Sequence, residues 1–70
     1  MCVPAHLVAA VRVRFPSSRV MVDAKNERIV LVNDAGDETG FPLVLLKMAD
    51  ARGKLKETLD SLAEHNPGFA

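Results

Sequence analysis

The stretch RVMVDAKNERIVLV, Arg19–Val32, decides how this chain reads. Two runs rich in β-branched residues, Arg19–Ala24 and Arg28–Val32, flank the polar pair Lys25-Asn26. Val and Ile suit a pleated surface, and Asn tolerates the left-handed backbone that a tight turn demands. Folding the stretch about Lys25-Asn26 sets Asp23 opposite Arg28, Val22 opposite Ile29 and Val20 opposite Leu31. Opposite charges and apolar side chains therefore meet on cross-strand positions, where each pair contributes about 0.2–1 kcal/mol. The prediction is an antiparallel hairpin. Val20, Val22, Ile29 and Leu31 share one of its faces, and Met21, Val30 and Val32 share the other.

Towards the N-terminus, Pro16-Ser17-Ser18 reads as a turn. Before it, Val11, Val13 and Phe15 alternate strictly with Arg12 and Arg14, and a period of two predicts a strand. The rival is a short helix opening at Pro4, which suits the first helical position. The β-branched residues and the Pro16 stop weigh against it, so the strand is preferred. Towards the C-terminus, Asn33–Gly40 is a polar loop, followed by Phe41-Pro42 and the apolar run Leu43–Leu46. A run of this kind has no readable period, so two readings follow. One is a long helix over 42–65 with the stripe Leu45, Met48, Leu55, Leu59 and Leu62, interrupted by Arg52 and stopped by Asn66-Pro67-Gly68. The other makes Phe41–Leu46 a fourth strand and starts the helix near Asp50. That start would crowd Arg52, Lys54 and Lys56 at the positive end of the helix dipole, so the long helix is preferred. It places Gly53 in a helix interior at a cost of about 1 kcal/mol. The expected fold is α+β: one domain over 1–70, a small antiparallel sheet of three strands, or four if 41–46 is extended, and one C-terminal α-helix packed on it.

A chain of 70 residues buries only about 60% of the surface its unfolded form exposes. Such a core is thin, and small domains usually gain support from a disulfide, a metal or a second subunit. Cys2 is the single cysteine, and His6 and His65 lie far apart. Good packing or self-association remains, and a homodimer is expected. Nine basic residues balance nine acidic ones, so no global field draws in nucleic acid or an anionic membrane. With three Phe and no Tyr or Trp, platforms for stacking nucleobases are scarce. No apolar stretch reaches the roughly 18 residues of a membrane span. Residues 1–10 lack a basic secretory n-region, and a cytoplasmic location is expected.

Candidate sites are few. Cys2 and His6 fall short of the roughly four ligands of a zinc centre, and Asp34, Asp37 and Glu38 lack the alternating oxygen ligands of a calcium loop. No metal or cofactor is expected. Gly36 and Gly40 precede no Lys-Ser/Thr pair and form no phosphate loop. No nucleophile, base and orienting acid are arranged in a known order, and so short a chain has little room to enclose a small-molecule substrate. The expectation is that the protein is not an enzyme.

Two binding readings remain. Residues 1–28 carry five positive charges against Asp23 and Glu27, and residues 29–50 carry four negative charges against Lys47. The overall balance thus conceals a dipolar chain. A basic sheet face of Arg12, Arg14, Arg19 and Arg28 would suit a nucleic-acid-binding regulator. The preferred reading is a non-enzymatic protein-binding module, an adaptor, antagonist or regulator that occupies a partner's surface. One helix covers one sheet face, which leaves Met21, Val30 and Val32 open, and Leu43 and Leu46 lie beside the helical stripe. Arg52, breaking that stripe, is either a snorkelling edge residue or a specificity charge at a helix–helix seam. The partner surface would comprise these six residues, facing another protein or a second copy of the chain. Inhibitors encoded by phages and mobile elements are often small antagonists of this kind, an analogy of class alone.

Overall fold

The structure, a computed structural model, describes residues 3–70. Helix α1 spans Ala5–Arg14, and strands β1 (Arg19–Asp23), β2 (Arg28–Val32) and β3 (Glu38–Pro42) follow. Helices α2 (Leu43–Ala51) and α3 (Leu55–His65) complete an α+β fold. The strands form an antiparallel sheet in the order β1-β2-β3.

The hairpin has the register that its side chains demand: Asp23 pairs with Arg28, Val22 with Ile29 and Val20 with Leu31. Its turn is wider than a Lys25-Asn26 pair, covering Ala24–Glu27. Glu27 takes the left-handed conformation, with φ of 50°, and Asn26 does not. Asn26 instead donates to Asp23 from its backbone N–H at 3.3 Å and from Nδ2 at 2.9 Å. The second connection turns at Asn33–Gly36. Gly36 supplies φ of 84°, and the Asn33 side-chain oxygen accepts from the N–H groups of Ala35 and Asp37. Loop and strand meet where Asn33 N donates to Asp37 O at 3.0 Å.

The first expected strand is a helix. In α1 the buried residues are Leu7 and Val11, one turn apart, and Phe15 follows just beyond the helix end. The Val11, Val13, Phe15 alternation misleads because Val13 is 81% exposed. Arg12 and Arg14 occupy the last turn, where positive charge complements the helix dipole. Pro4 precedes the helix as its cap residue, and the turn at 15–18 is closed by Ser18 N donating to Phe15 O.

The single C-terminal helix is two helices. Arg52 and Gly53 end α2, with Gly53 at φ of 69°. Gly53 N donates to Asp50 O and Lys54 N to Ala49 O, at 3.0 and 2.8 Å. These are the two hydrogen bonds of a Schellman motif, in which glycine accepts the left-handed position without a Cβ penalty. The preceding strand is Glu38–Pro42, so neither reading of 41–46 holds intact: Phe41-Pro42 ends β3 and Leu43 opens α2. The break also changes the phase of the stripe. α2 buries Leu43, Leu46 and Ala49, while Leu45 and Met48 face outwards. In α3, Leu59 is buried and Leu55 and Leu62 are half-buried, as their spacing predicts. α3 packs on α1 and α2, not on the sheet.

The core joins Leu7, Val11 and Phe15 to Ile29, Leu31 and Phe41 of the sheet and to Leu43, Leu46, Leu59 and Ala63. Phe15 and Phe41 meet with ring centroids 5.8 Å apart, a tilted arrangement favoured by aromatic quadrupoles. α1 and α2 lie against the sheet, and α3 adds Leu59 and Ala63 to the core built on Ile29 and Leu31. The chain beyond α3 returns to the sheet, where Ser18 Oγ donates to Phe69 O at 2.6 Å and Asn33 Nδ2 to Gly68 O at 3.2 Å.

Candidate functional site

α1 and α3 pack on one another, and space is left beside their contact where the α1 side chains are short. α1 presents Ala9 and Ala10 to α3, which presents Leu55 and Leu59. The result is an open groove of about 580 Å³. Val13 stands on its α1 side, exposed because the α1 core stripe runs along Leu7 and Val11. Charged groups frame the apolar floor. Arg14 Nε donates to Asp60 Oδ1 at 2.7 Å and ties α1 to α3. His6 Nε2 lies 2.7 Å from Asp50 Oδ2 and ties α1 to the end of α2. Both pairs are substantially exposed, and surface pairs of this kind contribute about 0–1 kcal/mol each. They orient the helices more than they stabilise them.

A second apolar feature lies on α2. Val44, Leu45 and Met48 are 61%, 40% and 49% exposed. Spacings of three and four residues bring them onto one ridge. Val44 and Leu45 adjoin Leu43 and Leu46, the α2 residues expected at a partner surface. Leu43 and Leu46 are 1% and 0% exposed and belong to the core, out of reach unless α2 detaches. Arg52 is exposed at the end of α2. No stripe passes through it, so it sits at no helix–helix seam within the chain.

The outer sheet face is less open than expected: of Met21, Val30 and Val32 only Met21 is exposed. Met21 is 43% exposed, whereas Val30 is only 8% exposed although no helix covers it. Val32 is half-buried. The Arg28 side chain lies across this face, its guanidinium above Gly40, where a Cβ would come within 3.3 Å of Nη1. Its Nε donates to Asp23 Oδ2 at 3.2 Å. With the two Asn26 hydrogen bonds as the larger cause, Arg28 helps to hold the Asp23 carboxyl below its ordinary value.

The four arginines of the nucleic-acid reading do not share a sheet face. Arg12 and Arg14 are on α1, Arg19 opens β1, and Arg28 is on β2. Arg14 and Arg28 are already paired with Asp60 and Asp23. Among the described residues no polar or charged side chain is buried, and no three His, Cys, Asp or Glu side chains converge. The Cys2–His6 pair lies partly outside the described residues. No described helix is long and apolar enough to cross a membrane. Compared with protein-family models, curated proteins and solved structures, the chain has no significant match in any of the three.

Proposed function

We propose that the protein is a non-enzymatic protein-binding module that acts by occupying a partner's surface. The observation that carries this reading is the apolar groove between α1 and α3, with Val13 exposed at its edge. A groove with an aliphatic floor and charges at its margins suits the apolar face of a helix from another protein, which removes Val13, Leu55 and Ala9 from water together. Val44, Leu45 and Met48 extend the apolar surface of the helical layer. Exposed apolar area of this kind gains about 25 cal/mol per Å² when covered. Arginines scattered over α1, β1 and β2, with Arg14 and Arg28 already paired, offer less to a phosphate backbone.

The test is affinity capture from the source cell with the wild-type chain and with Val13→Asp. Val13 is 81% exposed, so the substitution leaves the core untouched. The reading expects a protein that the wild type retains and the variant loses, with retention persisting as salt is raised. Identical capture by both chains counts against the groove. Retention of nucleic acid that falls steeply as salt is raised would favour phosphate binding instead.

A further inference from the structure

β1 and β3 are the two edges of the sheet, and they differ in how they end. In an antiparallel ladder, hydrogen-bonded and non-hydrogen-bonded positions alternate. Leu43 N donates to Glu27 O, and Asn33 N donates to Asp37 O. With the β2–β3 register, Ile29 and Leu31 therefore turn their backbone groups towards β3, and Arg28, Val30 and Val32 turn theirs towards β1. The matching residues of β1 are Asp23, Met21 and Arg19. Val20 and Val22 are left with their N–H and C=O groups at the open edge. Among the described residues, no turn, loop or tail backbone hydrogen bond ends on either of them. The corresponding edge positions of β3 are Glu38, Gly40 and Pro42. Pro42 lacks an N–H, a common guard of an edge strand. β1 has no such guard.

The β1 sequence Arg-Val-Met-Val-Asp is its own complement when read antiparallel. Pairing two copies about Met21 sets Arg19 of each against Asp23 of the other, Val20 against Val22, and Met21 against Met21. The parity of the ladder agrees. Val20 and Val22, whose backbone groups are free, fall on the hydrogen-bonded pairs and form four new bonds across the seam. Arg19, Asp23 and Met21 fall on the non-hydrogen-bonded pairs, where facing side chains approach more closely. Arg19 makes no ion pair among the described residues, whose ion pairs are His6–Asp50, Arg14–Asp60 and Arg28–Asp23. Asp23 retains acceptor capacity, because a carboxylate offers about four lone-pair sites. Val22 is 42% exposed on the face that the helices cover elsewhere, and Met21 is 43% exposed on the other, so both stand to lose water at the seam. Parallel self-pairing would bring like charges together at both ends.

We propose that the chain forms a two-fold homodimer by antiparallel pairing of β1 with β1 of a second copy, giving one continuous six-stranded sheet. The seam is isologous, as two-fold closure requires. It is separate from the α1/α3 groove, so this proposal and the groove reading stand or fall independently.

Sedimentation velocity of the 70-residue chain from low to high micromolar concentration tests the proposal. A dimer is expected. Arg19→Asp, at an exposed position without an internal ion pair, should keep the circular dichroism of the wild type and weaken association on the order of tenfold or more, since two attractive contacts become repulsive. An equimolar mixture of Arg19→Asp and Asp23→Arg chains should form a heterodimer tighter than either variant's homodimer. In a Cys2→Ser background, Met21→Cys should cross-link to itself on oxidation, because the facing Cα atoms would lie about 4.5 Å apart, and Val44→Cys should not. A chain that stays monomeric throughout, an Arg19→Asp dimer as tight as the wild type, or a dimer without the Met21→Cys cross-link would overturn the proposal.

Discussion

Replacing Gly53 with Ala should destabilise the protein, and the sign of the effect separates two architectures. In the structure Gly53 has φ of 69° and closes a Schellman motif, and a Cβ built there meets nothing within 4 Å. The penalty is therefore conformational and not steric. A left-handed backbone costs an L-residue roughly 1–2 kcal/mol, while the reduced freedom of Ala in the unfolded chain offsets about 0.4–1 kcal/mol. The net loss is about 1 kcal/mol, or a fall in Tm of about 4–8 °C for a domain of this size. In one continuous helix over 42–65 the same substitution would remove an interior glycine and stabilise by about 1 kcal/mol. Gly53→Asn should fall between the wild type and Gly53→Ala, because Asn enters the left-handed region more readily than Ala. Urea titrations of the three chains, read by far-ultraviolet circular dichroism, measure all of this. A Gly53→Ala chain more stable than the wild type would refute the break between α2 and α3.

Other expectations follow from the packing and the turns. Leu59→Ala and Leu46→Ala should each cost about 2–5 kcal/mol as buried large-to-small changes, enough to unfold much of so small a domain. Val44→Ser and Met48→Ser, on the exposed side of α2, should stay within about 0.5 kcal/mol, and denaturant midpoints compare the two sets. Glu27→Gly should stabilise by about 0.5–1 kcal/mol, because Glu27 holds φ of 50° at a position that suits glycine; a destabilised chain would place the strain elsewhere. The Asp23 carboxyl is held below its ordinary value by Asn26 and Arg28. A depressed folded pKa contributes stability that is present above the unfolded value and lost as pH falls through the folded one. Asp23 should therefore titrate below an unperturbed aspartate in a nuclear magnetic resonance titration, and Asn26→Ala should move it upwards.

The hairpin was legible in the sequence because charge and apolarity agreed on one register, so the wider Ala24–Glu27 turn could not shift it. α1 was hidden by Val13, an apolar residue left in water that completed a false alternation. The helix dipole misled at the other end of the chain: it weighed against a helix start crowded by Lys54 and Lys56, yet α3 opens at Leu55 between them. At Leu43–Leu46 an unbroken apolar run carries no phase, and Gly53, a cost inside one continuous helix, is the stop that resets it. Of the six expected surface residues, Leu43 and Leu46 consequently lie in the core, with their neighbours Val44 and Leu45 outside, and Val30 is buried as well. The groove itself had no sequence signal. It arises from Ala9 and Ala10 meeting Leu55 and Leu59 across two helices whose pairing is set by the tertiary fold.

The claim that the α1/α3 groove receives another protein is tested most directly by photocrosslinking from Val13 in the source cell, with a probe at Lys25 on the hairpin turn as control. A covalent adduct to a different protein from position 13, absent at position 25 and suppressed by Ala9→Asp, is the predicted result. Equal adducts from both positions, or none from position 13 while the chain is folded and abundant, would contradict it.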